Sequence, residues 1–146
     1  MPIFRRATKE DVKHIATLEG RVFSDAWTMQ GITETFKQPQ AFLTVGEEKG
    51  IIVGYCIVYY VLEEGEIARI AVDEKLRRQG VGRGLLDYTM TCCREIKLQR
   101  VLLDVRESNA AARAFYATYG FKEDGMRKNF YDNPKEHAIL MSMVLE

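Results

Sequence analysis

The sequence predicts an α+β domain of seven strands and about four helices, in the order β-α-α-β-β-β-α-β-α-β-β. Three observations carry that order. Apolar residues switch repeatedly between helical spacing and strand-like runs. Two turn signals, Glu48-Lys49-Gly50 and Glu63-Glu64-Gly65, join three consecutive strand-like runs into a meander. A basic, glycine-rich segment, Arg77-Arg78-Gln79-Gly80-Val81-Gly82-Arg83-Gly84, then leads into an amphipathic helix.

Residues 3–6 read as a short first strand. Thr8-Lys9-Glu10-Asp11 has the form of a capping box with Thr8 as N-cap. Val12, Ile15, Ala16, Leu18 and Val22 follow at helical spacing, which predicts a helix near residues 9–21. Residues 27–37 read as a second, shorter helix ended near Pro39. The meander comprises residues 41–47, 51–62 and 66–72; its middle run is apolar on both faces, as a central strand would be. Residues 82–96 are helical, with Leu85, Leu86, Met90 and Cys93 on one stripe. Residues 101–105 form a strand, and residues 109–119 a helix closed by Gly120. Residues 121–127 and 137–145 finish as two strands around Asn133-Pro134. No repeat or linker breaks the pattern, so residues 1–146 read as one domain.

Apolar residues make up 47% of the chain, enough for a core, and Lys+Arg and Asp+Glu both number 21. A net charge of zero argues against a general nucleic-acid or membrane binder. The three cysteines, Cys56, Cys92 and Cys93, are odd in number and two are adjacent, so no disulfide framework is expected. His14 and His137 lie far apart without a C-x-x-C companion, so no metal site is expected. The first residues lack the apolar core of a signal peptide, and the run 51–62 is too short to span a bilayer. A reducing cytoplasm is the expected location.

The basic glycine segment carries the first functional expectation. Glycine lets backbone approach a ligand, and a following helix start offers unpaired N–H groups and a positive dipole end. Together these make a pyrophosphate cradle. A dinucleotide fold fits poorly. Its third glycine position is Leu85, and residues 73–79 separate Val72 from Gly80. Asp104 does stand roughly where that fold carries a ribose-binding acid. The Gly-Lys-Ser/Thr of a Walker loop is absent, and an ordinary basic turn is the plain alternative.

The stretch Ile67-Ala68-Arg69-Ile70-Ala71-Val72, followed by Arg77-x-x-Gly80-x-Gly82, resembles the acetyl-coenzyme A signature of the GNAT N-acetyltransferases. Leu103-Asp104-Val105-Arg106-Glu107-Ser108-Asn109 and Phe115-Tyr116-Ala117-Thr118-Tyr119-Gly120-Phe121 resemble the second half of that fold. Asn129-Phe130-Tyr131, followed by Glu136-His137-Ala138, resembles the late hairpin of the N-terminal protein acetyltransferases, and Phe23-Ser24-Asp25-Ala26-Trp27 is similar to the RimI-type branch, the bacterial ribosomal-protein-alanine N-acetyltransferases. The resemblance covers nearly the whole chain. It implies a mixed, mostly antiparallel seven-stranded sheet with helices on both faces. It implies direct acetyl transfer from acetyl-coenzyme A to a protein N-terminus, with an alanine-starting ribosomal protein as acceptor and no metal. The expected enzyme is a monomer or weak dimer that does not bind nucleic acid directly.

The resemblance also assigns residues. Arg77, Arg78, Gln79, Gly80, Val81, Gly82 and Arg83 would hold the pyrophosphate, while Ile70, Ala71, Val72 and Asn109 would hold the pantetheine arm. Asp104, in an otherwise apolar strand, is the candidate base, where RimI-type enzymes usually carry Glu; Glu66 and Glu107 are the fallbacks. A structural Asp bracing the next loop is the alternative. Tyr116 is the candidate acid and a cofactor contact, with a core aromatic as the alternative; Asn109 could equally be a helix N-cap. Trp27 and Tyr131 would flank the acceptor, and Glu63, Glu64 and Glu66 would attract its amine. Two rival functions remain at this level: acetylation of a small amine or lysine side chain, and a non-catalytic acyl-coenzyme A sensor.

Overall fold

The structure is a computed structural model that describes residues 2–77 and 79–145. Seven strands and four α-helices occur among the described residues. The elements are β1 (Ile3–Arg6), a 3-10 turn (Lys9–Asp11), α1 (Val12–Val22), α2 (Met29–Phe36), β2 (Ala41–Glu48), β3 (Ile51–Val61) and β4 (Glu64–Val72). A second 3-10 turn (Glu74–Leu76), α3 (Val81–Glu95), β5 (Arg100–Arg106), α4 (Ala110–Tyr119), β6 (Lys122–Tyr131) and β7 (Glu136–Val144) complete the chain. The strands form one sheet in the order β1-β2-β3-β4-β5-β7-β6. Every pairing is antiparallel except β4 with β5, as the mixed, mostly antiparallel expectation requires.

Of the boundaries that depart from the sequence reading, three bear on the site. The second helix begins at Met29, not residue 27, because Thr28 caps it; the Thr28 hydroxyl accepts from the Gly31 N–H at 3.0 Å. Trp27 therefore belongs to the α1–α2 loop. The β3–β4 turn closes earlier than Glu63-Glu64-Gly65, because Leu62 itself adopts a positive φ of 55° and Glu64 already pairs with Val61. The third helix begins at Val81, with Gly80 as a left-handed N-cap at φ +82°.

The sheet separates two cores. On one face α3 and α4 set Leu85, Leu86, Met90, Cys93 and Tyr116 against Val101, Leu103 and Val105 of β5. On the other, Ile15, Leu18 and Ile32 of α1 and α2 meet Val45, Tyr55 and Ile57. The central strand β3 serves both, with Cys56 and Val58 facing one core and Tyr55 and Ile57 the other. Its unbroken apolar run is explained by burial on both faces.

The feature that positions the site is an incomplete ladder. The β4–β5 pairing runs from Glu64↔Arg100 to Ile67↔Leu103 and stops there. Residues 68–72 of β4 and 104–106 of β5 continue as strand without pairing to each other. A register shift against β3, where Ile57 opposes Arg69 and Val58 opposes Ile67, leaves Ala68 as an extra residue at the mouth of this opening. Such a bulge bends its strand and re-aims the side chains beyond it.

Candidate active site

At one end of the opening stands the start of α3. The first intrahelical bond runs from Gly84 N–H to Gly80 C=O at 3.0 Å, so the N–H groups of Val81, Gly82 and Arg83 have no intrahelical partner. A Cβ on Gly80 would meet nothing within 4 Å, and one on Gly82 would make ordinary contact with Phe115 at 3.6 Å. The space over this helix start is open, and its dipole favours an anion. Arg83 lies over the Tyr119 ring at 5.5 Å, with its side chain at the surface. Gln79 and Arg77 are exposed in the preceding loop, and Arg78 lies outside the described residues. The Val81 side chain is buried, so only its main chain can face a ligand. These residues fit a pyrophosphate.

Asp104 and Tyr116 lie on opposite faces of β5. Val101, Leu103 and Val105 turn into the α3/α4 core, so the alternate residues Leu102, Asp104 and Arg106 face the α1/α2 side. Tyr116 is buried on the α4 side, edge-on to Phe115 at 5.4 Å and to Phe121 at 5.7 Å between ring centres. The opening in the ladder is the passage between them. Burial pushes the Tyr116 phenol up, with the neighbouring Cys56 and Tyr131 adding to the rise, so it keeps its proton. Its hydroxyl makes no hydrogen bond to a described residue. Burial also raises the Asp104 carboxyl above the ordinary carboxylate range, while the Arg127 charge pulls it back. Glu66, one residue before the last β4–β5 pair, is raised by burial and then by the Asp104 charge, with Arg127 again opposing. Two carboxylates and one arginine thus share the acidic side of the opening.

Two arginines brace the loops above it. Arg69, on β4 within the unpaired stretch, is held by Glu19 and Asp25 and stacks over Phe23 at 3.8 Å. Glu19 is fully buried on α1 and also accepts from the Trp27 N–H at 2.9 Å and from the Tyr55 hydroxyl. This network fixes the loop that carries Trp27. Across the opening, Arg106 donates to the carbonyls of Asp132 and Pro134 at 3.0 and 2.9 Å and lies over the Tyr131 ring at 4.5 Å. Glu136, paired with Arg106 at 3.2 Å, accepts from the Ser108 N–H at 2.6 Å. The end of β6 that carries Tyr131 is thereby tied to the β5–α4 corner. Burial, followed by the Asp104 charge, raises the Tyr131 phenol to about 12, with Arg106 and Arg69 opposing.

The structure gathers Asp104, Glu66, Trp27 and Tyr131 on one side of the opening, with Tyr116 and the α3 start on the other. It does not gather Glu63 and Glu64 there. They sit at the paired end of β4, where the Glu63 carbonyl accepts from Gln99 N–H at 2.7 Å and Glu64 meets Arg100 at 3.3 Å. Glu107 marks the β5–α4 corner, its carbonyl accepting from Arg113 at 2.8 Å. Asn109 caps α4 by accepting from the Ala112 N–H at 3.1 Å. Gly84 has a packing duty, since a Cβ there would lie 2.5 Å from the Phe4 ring. Sequence reasoning missed Glu19, Arg69, Arg106 and Arg127. The signal for Glu19 was present: it sits among Ile15, Leu18 and Val22 on the apolar stripe of α1, where a carboxylate must have a partner.

Cys56, Cys92 and Cys93 are buried and free. No cluster of three or more potential metal ligands occurs among the described residues, and no described helix is long and apolar enough to cross a membrane.

Comparison with known proteins agrees with this geometry. The acetyltransferase (GNAT) family profile matches residues 12–121. The chain is 32% identical over 138 residues to a protein of Bacillus subtilis (strain 168) described as a putative [ribosomal protein bS18]-alanine N-acetyltransferase; the match covers 94% of this chain and 91% of that protein. The crystal structure of the ribosomal-protein-S18-alanine N-acetyltransferase from Escherichia coli superposes with a TM-score of 0.92 at 28% identity, covering 100% of this chain and 95% of that one. Ard1 from Thermoplasma volcanium gives a TM-score of 0.91 at 27% identity, covering 99% and 98%.

Proposed function

This chain belongs to the acetyltransferase (GNAT) family and is an N-acetyltransferase, and we propose that it acetylates the N-terminal α-amino group of an alanine-starting ribosomal protein by direct transfer in a ternary complex. The observation that carries the reading is the open β4–β5 ladder, with a carboxylate on one side and a protonated phenol on the other. The named activity of the relatives supports the acceptor. A ribosomal acceptor puts the reaction in the cytoplasm, with the enzyme acting as a monomer or weak dimer.

Acetyl-coenzyme A, as co-substrate, supplies the activated acetyl thioester. The N–H groups of Val81, Gly82 and Arg83 and the positive end of α3 hold its pyrophosphate, with Arg77, Gln79 and Gly80, and Arg78 outside the described residues, completing the set. The unpaired edge of Ile70, Ala71 and Val72, with Asn109, takes the pantetheine arm. Asp104 takes the proton of the acceptor amine, whose pKa is about 8 in the free peptide, so a carboxylate raised by burial is a better base than an exposed one. Glu66 beside it draws the cationic amine toward the opening. Tyr116 keeps its proton and donates it toward the departing sulfur. Trp27 and Tyr131 flank the acceptor chain. Burial pushes the Cys56 thiol up and Cys93 to about 12, so neither stands ready as a thiolate to carry acetyl, and all three cysteines are buried away from the acceptor.

The test is release of free coenzyme A with an alanine-starting ribosomal peptide, a lysine-bearing blocked peptide and a polyamine, for wild type, Asp104→Asn and Tyr116→Phe. Turnover on the first acceptor alone, lost in both variants with acetyl-coenzyme A binding intact, supports the reading. Preference for the lysine or the polyamine overturns the acceptor, and tight binding without turnover on any acceptor overturns the catalytic roles.

A further inference from the structure

Arg69 stands in the unpaired half of β4, two residues beyond the last β4–β5 partner, and its side chain turns to the same side as Asp104. Its Nε donates to Glu19 Oε2 at 2.9 Å. Its Nη2 lies 2.7 Å from the same oxygen and donates to the Asp25 carbonyl and carboxylate at 3.1 and 3.2 Å. One flat face covers Phe23, and Trp27 lies 5.5 Å from the guanidinium carbon. The head group is therefore immobilised by a buried carboxylate, a loop carbonyl and an aromatic ring. Its Nη1 has no partner among the described residues. No fully buried polar side-chain atom among those residues lacks a partner, so Nη1 borders open space. The Arg69 side chain is only 15% exposed, so this donor has little water around it, and the guanidinium charge is felt at Tyr131 on the groove wall.

A guanidinium has donors and no acceptor, so Nη1 cannot bind an ammonium group or take its proton. It can bind a carbonyl oxygen, and a charged donor held in place does so more strongly than a neutral one. Glu19 and Asp25 flank the guanidinium, so the cluster does not repel a cationic amine. A peptide N-terminus offers carbonyls a few ångströms from its amine, whereas a simple alkylamine offers none.

We propose that Arg69 is an acceptor-recognition residue whose Nη1 donates to a backbone carbonyl of the incoming peptide beside its N-terminus, so that the site selects a peptide over an alkylamine. This rests on the N-terminal acetylation reading. The same side chain positions the Trp27 loop through Glu19, which joins peptide selection to the shape of the groove wall.

The test compares wild type with Arg69→Lys, which keeps a cation beside Glu19 but has no Nη1. The acceptors are an alanine-starting peptide and two analogues with the first or the second peptide bond replaced by an (E)-alkene, which keeps shape and removes the carbonyl. Arg69→Lys raises the peptide KM by roughly tenfold or more, while kcat and the acetyl-coenzyme A KM change by less than about twofold. One alkene analogue costs the wild type the same factor and costs Arg69→Lys nothing further. An unchanged peptide KM, or an equal penalty from the substitution on the peptide and on both analogues, overturns the proposal. Should Arg69→Lys melt below the assay temperature, the wild type decides alone, and equal KM for the peptide and both analogues overturns it. No transfer by the wild type to the unmodified peptide sinks the acceptor reading itself, and the inference with it.

Discussion

Replacing Gly84 by Ala separates packing glycines from cradle glycines. Gly84 is the fourth residue of α3 and faces Phe4 of β1. A Cβ built on it lies 2.5 Å from two atoms of the Phe4 ring, about 1 Å inside ordinary contact. The ring's other edge packs against Gly46, whose missing Cβ would lie 3.1 Å from it, so tilting away brings the ring onto the β2 main chain. Overpacking of this kind costs about 1–3 kcal/mol. Against it stands a helix-propensity gain of about 1 kcal/mol for Ala over Gly. The net loss is about 0–2 kcal/mol, read as a fall in Tm of roughly 2–4 °C per kcal/mol. In a Phe4→Ala background the clash disappears and only the propensity remains, so the same substitution becomes stabilising. Chemical denaturation of the two singles and the double variant measures this reversal, with the acetyl-coenzyme A KM as a control that stays within about twofold. Equal effects of Gly84→Ala in both backgrounds would refute the packing argument. So would a tenfold rise in acetyl-coenzyme A KM at unchanged stability, because it would move Gly84 into the cradle.

Three further outcomes follow from the site. Tyr116→Phe lowers kcat roughly 100- to 10,000-fold and leaves stability within about 1 kcal/mol, since its hydroxyl holds no bond to a described residue; steady-state kinetics and a thermal melt check both. Arg127→Gln removes the charge that lowers both Asp104 and Glu66, so their carboxyls hold protons to higher pH. The acid limb of kcat/KM, which requires the deprotonated base, then moves to higher pH, and a limb that stays put or moves down argues against this pair. Glu19→Ala leaves Arg69 and the Tyr55 hydroxyl without their buried partner and costs about 3–5 kcal/mol in urea denaturation.

The order of elements was legible because each carries its own periodicity and turn chemistry. Lys49 and Gly50 both take positive φ in the β2–β3 turn, as Lys-Gly there suggests. Leu62 does the same between β3 and β4, and nothing in a leucine announces it, so that turn was placed late. The start of α2 was misjudged because an apolar Trp27 extends the helical pattern, yet its N–H belongs to Glu19, eight residues back. The proposed cradle and the candidate pair Asp104 and Tyr116 lie within short motifs whose resemblance to the family pattern singled them out. The bracing network could not, since Glu19 finds Tyr55 and Arg69 at separations of 36 and 50 residues. The three alternating glycines looked alike in sequence; Gly80 takes the left-handed turn, Gly82 lies in the open helix start, and Gly84 admits a phenyl ring.

The most direct test of the central claim asks which nitrogen receives the acetyl group. An alanine-starting ribosomal peptide with an internal lysine is incubated with the enzyme and acetyl-coenzyme A, and fragment mass spectrometry locates the addition. The account requires the acetyl on the terminal α-amino group and its loss with Asp104→Asn. Acetyl on the lysine ε-amino group, or undiminished terminal acetylation by Asp104→Asn, would contradict it.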